Sequence, residues 1–226
     1  MSQNKKEFWC KIVGEGWYNA FPGLWESPYM SNVISHVMGL YKSTTLYPES
    51  KDLFKPFKLC PYDKVKVVIL GDHPYMDGSA NGLAFANSKE SLTLSKPLLA
   101  IQESVENDVY DGLNLGFDTT LESWAEQGVL LLNECPTAEK FNPEKSHHHI
   151  WKKFTEGIIL GINLYKNKVH FIFWGQQSQQ YTQFISQEDD KGNYIHCSSY
   201  PEGVNKVWRC DNFKEVNNKL KHKIVW

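Results

Sequence analysis

The stretch Val65–Phe85, VKVVILGDHPYMDGSANGLAF, decides how the chain folds. Its first six residues are apolar or β-branched at nearly every position, as in a strand covered on both faces. Gly71 ends that run. Asp72, His73, Pro74 and Tyr75 follow in a polar, turn-rich segment. Open α/β sheets bind ligands at this place, the carboxyl edge of a parallel strand. An acid, an imidazole, a phenol and a rigid proline make it a candidate site, although a plain strand-to-loop turn has the same local text.

Outward from this stretch, VLLLN (129–133), VHFIFWG (169–175) and NYIHCSS (193–199) read as further strands. Helices are expected between them. SNVISHVMGLYK (31–42) has Ser31 as a possible cap, and SLTLSKPLLAIQESVEND starts its helix near Lys96 with Ser95 as N-cap. DTTLESWAEQG carries Thr-x-x-Glu capping chemistry and stops at Gly128. HHIWKKFTEGIILGINLY (148–165) is long and amphipathic, QQSQQYTQFISQ follows the third strand, and NFKEVNNKLKHK (212–223) is a surface helix. Strands alternating with helices predict α/β class: a three-layer α/β/α sandwich around a four-stranded, mainly parallel sheet. One domain over 1–226 is expected, with 1–44 as an irregular, partly helical arm packed on it. All four strands run into polar text (DHPY, ECPT, QQSQ, SSYP), and parallel strand ends share one rim. The four tails therefore converge on one cleft.

Composition narrows the function classes. The chain has 226 residues, 41% hydrophobic and 22% charged, an ordinary globular balance. No apolar run approaches the roughly 20 residues of a membrane span, and no secretory signal pattern opens the chain, so no membrane partner is expected. Cys10, Cys60, Cys135, Cys197 and Cys210 lie far apart without a C-x-x-C pair, which suggests neither a disulfide frame nor a zinc site and fits a reducing cytoplasm. A net charge of −2 argues against holding nucleic acid by bulk charge, but lysines cluster at Lys51–Lys66 and Lys206–Lys223. The run His147-His148-His149 does not suggest a metal, since three adjacent histidines cannot all face one ion.

From about Thr45 to the last helix, the chain resembles the uracil-DNA glycosylase family. The resemblance rests on LYP (46–48), LFKPFKLCPYDKVKVVILG (53–71), GLAF (82–85), WAEQGVLLLN (124–133), Ser146-His147 before WKKFT (151–155), FWG (173–175) and His196 followed by serines. It implies an enzyme that flips a pyrimidine nucleotide out of DNA and hydrolyses the bond from base to sugar without a cofactor, acting as a monomer. It further implies that Phe85 stacks on the base, Asn133 reads its edge, His196 donates to its O2, and Tyr75 walls off C5. Ser95, Gly175 with Gln176, and Ser198 with Ser199 match loops that grip the phosphates.

The chain departs from the family where the chemistry lies. The family has glutamine then aspartate after the glycine, and histidine after the tyrosine; here those places hold Asp72, His73 and Met76. Asn81 stands where the family has histidine, in a loop about one residue shorter. Three readings follow: Asp72 takes over the acid role from one position earlier, as in related thermophilic glycosylases; neutral His73 orients the water; or the site is inactive and the fold is a DNA- or protein-binding module. After His196 the family has Pro-Ser-Pro-Leu, and here Cys197-Ser198-Ser199-Tyr200-Pro201 makes Tyr200 the expected wedge in the DNA stack. These changes also admit a modified substrate, such as a hydroxymethylated or glucosylated phage pyrimidine removed in antiviral defence, with Met76 beside the added group.

Overall fold

The computed structural model describes residues 2–142, 147–186, 192–202 and 208–226. Among the described residues six strands are formed: β1 (Leu46–Tyr47), β2 (Val67–Gly71), β3 (Val129–Asn133), β4 (Ala138–Glu139), β5 (His170–Trp174) and β6 (Tyr194–Ser198). Four of them make a parallel sheet in the order β3-β2-β5-β6. Every residue of β2, β3 and β5 is buried, which is why these strands read as unbroken apolar text.

The pleat sorts their side chains onto two faces. Val68, Leu70, Leu130, Leu132, Phe171 and Phe173 join the core beneath the helix His148–Tyr165 and the amino-terminal helices. Val67, Ile69, Val129, Leu131, Ile172 and Trp174 join the opposite core, with the helices Lys96–Val109 and Asn212–Lys219. The result is the expected three-layer α/β/α sandwich.

Several elements differ from the sequence expectation. The arm is almost wholly helical: Ser2–Val13, Glu15–Ala20, Pro22–Trp25 and Pro28–Ser43. The last begins at Pro28, not Ser31, because Ser27 caps it, its Oγ accepting from Met30 N at 3.0 Å. After β5 the helix spans only Gln176–Gln179 before tightening into a 3₁₀ turn. The ladder of β1 on β4 joins segments far apart in sequence, and pairs of two residues carry no period to read.

Candidate active site

The rim is built from the register of β2 on β3. Gly71 pairs with Asn133, and the pairing continues past the strands: Glu134 N donates to Gly71 O at 2.8 Å and Cys135 N to Asp72 O at 2.9 Å. Gly71 is needed for space. A Cβ there would lie 2.5 Å from Asn133 Oδ1, 3.0 Å from Ala84 Cβ and 3.4 Å from Phe85 Cε2. The amide and the ring thus close over the same glycine.

Phe85 takes a left-handed conformation (φ 65°), which costs a bulky L-residue about 1–2 kcal/mol. This strain aims the ring, which lies 5.3 Å from Trp174 and 6.1 Å from Tyr200. Tyr75 donates its hydroxyl to Phe85 O at 2.9 Å, and burial raises its pKa so that it stays a neutral phenol. Ser95 caps the helix Lys96–Val109 and stands beside that phenol. Met76 is half-buried, its carbonyl accepting from Phe141 N at 3.1 Å. Asn81 is scaffold: buried, it donates to Asn87 O and Thr120 O and accepts from Leu83 N.

On the far side, Gly175 (φ 85°) leaves room for Tyr200, whose Cβ would lie 3.0 Å from an added Cβ. Gly175 N and Gln179 Nε2 both donate to Ser198 O, and Trp208 Nε1 donates to Ser199 O, which fixes the turn. Gln176 is exposed at this edge. Burial pushes the Tyr200 phenol up to about 12, with the negative charge of Asp72 adding to the effect. The Tyr200 ring lies at the rim beside that of Phe85.

His196 lies below the rim. It is the middle residue of β6, paired with Ile172, and lies two positions short of the rim pair Trp174–Ser198. Both ring nitrogens are engaged: Nδ1 with Glu215 Oε2 at 2.9 Å and Nε2 with His170 Nδ1 at 2.9 Å. The carboxylate fixes the tautomer, so Nδ1–H donates to Glu215 and Nε2 accepts from His170. Burial lowers the pKa of both imidazoles, His170 to about 4. His196 faces a groove of about 530 Å³ with Tyr194, Glu215 and Lys219, not the rim.

Asp72 is partly exposed and sits between two histidines. His148 Nε2 approaches Oδ1 at 3.0 Å, and His73 Nε2 lies 3.8 Å from Oδ2. His73 Nδ1 lies 3.0 Å from Pro74 O, so it carries the hydrogen. Burial pushes the Asp72 carboxyl up, but the hydrogen bond from His148 and the charges of both histidines pull it below the usual carboxylate range. His148 also meets Glu134, Nδ1 to Oε1 at 3.3 Å. Contacts to Asp72 first, and to Glu134 second, raise His148 to about 9 against the cost of burial. These are ion pairs without full hydrogen-bond alignment, as catalytic contacts often are before substrate arrives. Gln177 Nε2 donates to both Glu134 oxygens, at 3.2 and 3.0 Å.

One ligand atom from each of Asp72, Glu134 and His148 lies within 4.8 Å of the others. The two acids approach opposite ring nitrogens, so the imidazole bridges them rather than joining them around a common centre. Glu134, His148 and Gln177 were not singled out from sequence. The readable signal was an acid directly after each of two neighbouring parallel strands, a pair of like charges that needs a cation between them. Ser146 lies outside the described residues; His147 is buried against the Thr137 hydroxyl.

Fold and rim together define an α/β protein whose sheet edge gathers an aromatic ring, an amide and an ionised acid. The profile described as the uracil DNA glycosylase superfamily matches residues 57–221. A uracil-DNA glycosylase of Buchnera aphidicola is 36% identical over 204 residues, covering 85% of this chain and 87% of its own. One of Mannheimia succiniciproducens is 34% identical, covering 88% and 89%. Among solved structures, mimivirus uracil-DNA glycosylase superposes with a TM-score of 0.78 at 23% identity, over 93% of this chain and 86% of that one. The chain belongs to the uracil DNA glycosylase superfamily and is a DNA N-glycosylase, a hydrolase of N-glycosyl bonds.

Proposed function

We propose that the protein excises uracil from DNA by flipping the nucleotide into the pocket over Gly71 and hydrolysing its N-glycosidic bond, leaving an abasic site. The observation that carries this reading is the convergence of Asn133, Phe85 and Asp72 around that one glycine. Phe85 offers a face for stacking, and the Asn133 amide can pair with both N3–H and O4 of uracil.

The reaction separates an oxocarbenium-like sugar from an anionic base, so it needs negative charge beside the sugar and a donor at the base. Asp72 supplies the charge and orients the water. A carboxylate held below its usual pKa is ionised throughout the working range. His73 lies 3.8 Å from the Asp72 carboxylate, at the long end of an ion pair, and serves as a neighbour to Asp72 rather than as the base. With both His196 nitrogens engaged elsewhere, the neutral Tyr200 hydroxyl is the donor for the departing base.

Uracil is favoured over a modified pyrimidine because Tyr75 is tied to the Phe85 backbone, which supports a closed wall against a C5 substituent. The test incubates the protein with duplex and single-stranded oligonucleotides bearing uracil, thymine, 5-hydroxymethyluracil or glucosylated pyrimidines, followed by alkaline cleavage. Scission at uracil and none at thymine is expected. Scission confined to the modified bases would reverse the substrate assignment, and none on any strand would remove the activity.

A further inference from the structure

Neighbouring parallel strands lie roughly 4.8 Å apart, so consecutive acids at the ends of β2 and β3 repel unless something cationic separates them. His148, at the first turn of the helix His148–Tyr165, lies between them. Glu134 is itself held rigidly. It is 5% exposed, its carboxylate takes both contacts from Gln177, and its carbonyl accepts from Thr155 Oγ1 at 2.8 Å.

We propose that His148 and Glu134 are positioning residues of this site: the anchored Glu134 carboxylate holds His148 as an imidazolium, and that imidazolium fixes Asp72 as an oriented anion beneath the reacting sugar. The proposal rests on the assignment of Asp72 as the water-orienting group. Two carboxylates and one imidazolium leave a net charge of −1. That is enough to favour a developing sugar cation, and it avoids the doubled repulsion that two bare acids would exert on DNA phosphates.

Other groups face the cluster. Around Asp72 stand His73 at 3.8 Å and the Tyr200 phenol; around Glu134 stand the Tyr181 phenol and the Cys135 thiol, with Glu156 beyond Tyr181. Burial keeps both phenols and the thiol protonated well above neutrality. An alkaline limb in the rate near pH 9 therefore reports the loss of the His148 proton, and His73→Ala is the control for the second imidazole.

The experiment measures kcat and KM on a uracil-containing oligonucleotide from pH 5 to 10 for the wild type, Glu134→Gln, His148→Ala, His73→Ala and Asp72→Asn, together with the His148 imidazole titration by NMR. Glu134→Gln should move both the alkaline limb and the His148 titration down by about one unit, which lowers kcat about twofold at pH 8 and about tenfold near pH 10, with KM unchanged. His148→Ala should abolish the limb and recover part of its kcat with added imidazole. An unshifted limb and titration in Glu134→Gln would overturn the proposal. The NMR arm reads the bridge even in an inactive variant. If Asp72→Asn retains the wild-type rate, the assignment of Asp72 fails separately.

Discussion

At the scale of single residues, the decisive exchange is between His196 and Tyr200. A histidine four residues before a tyrosine at the end of a parallel strand looks like the functional group, but the strand register places it two positions too deep. His196→Ala should therefore keep kcat within about threefold of the wild type while costing about 1–3 kcal/mol in denaturant unfolding, because it strips a buried partner from His170. Tyr200→Phe separates a donor from a wedge. Phenylalanine still stacks, so a wedge would lose little, whereas loss of a donor to the departing base should lower kcat about 10- to 100-fold with KM for DNA unchanged. Single-turnover kinetics on the two variants reads both outcomes. Gly71, Asp72, Phe85 and Asn133 were legible in the sequence because each lies within one residue of a strand end or a recurring motif. Glu134 and His148 were not, since their role exists only once β2 and β3 are side by side.

Among the elements, β2, β3 and β5 were readable because burial on both faces leaves continuous apolar text with a glycine or asparagine at its end. The helix starting at Lys96 was readable from its Ser-x-Pro cap. The start at Pro28 was missed because two serines, Ser27 and Ser31, compete as caps one turn apart, and the proline at the first position settles it. The carboxyl end of β2 is also where packing constrains the site most tightly. Gly71→Ala puts a methyl group against the Asn133 amide oxygen at 2.5 Å, so the amide must rotate away from the base. Uracil excision should fall by about two orders of magnitude or more with the sheet retained, since reading hydrogen bonds lost to an unpaired buried group cost a few kcal/mol. Circular dichroism and kcat/KM measured together check it; a Gly71→Ala enzyme with the wild-type rate would show that Asn133 does not read the base.

For the whole molecule, the two cores are joined through a sheet whose rim and interior carry imidazoles in opposite charge states, and this sets how stability depends on pH. His170 is buried at 1% exposure and is held neutral with a folded pKa of about 4. A group depressed in this way contributes stability above its unfolded value near 6.5, and that contribution is lost as pH falls toward 4. The full shift corresponds to about 3 kcal/mol. His148 behaves in the opposite sense. Its folded pKa of about 9 gives stability that is complete below about 6.5 and is lost as pH rises through 9. Its side chain is 28% exposed, and screening reduces this share to on the order of 1–2 kcal/mol. Asp72, depressed below the carboxylate range, adds to the acid-side loss only at lower pH. Stability should therefore peak near pH 6.5–7 and fall on both sides, by roughly 2–4 °C of melting temperature per kcal/mol in a chain of this size. His170→Asn keeps a donor where Nδ1 stood and removes one of the two depressed imidazoles, so it should make the acid side shallower, with His196 keeping its share, and leave the alkaline side unchanged. Glu134→Gln leaves the Asp72 contact to His148 in place, so it should reduce the alkaline loss without removing it and leave the acid side unchanged. Melting curves from pH 4 to 10 that keep both slopes in both variants would mean that neither imidazole governs the profile.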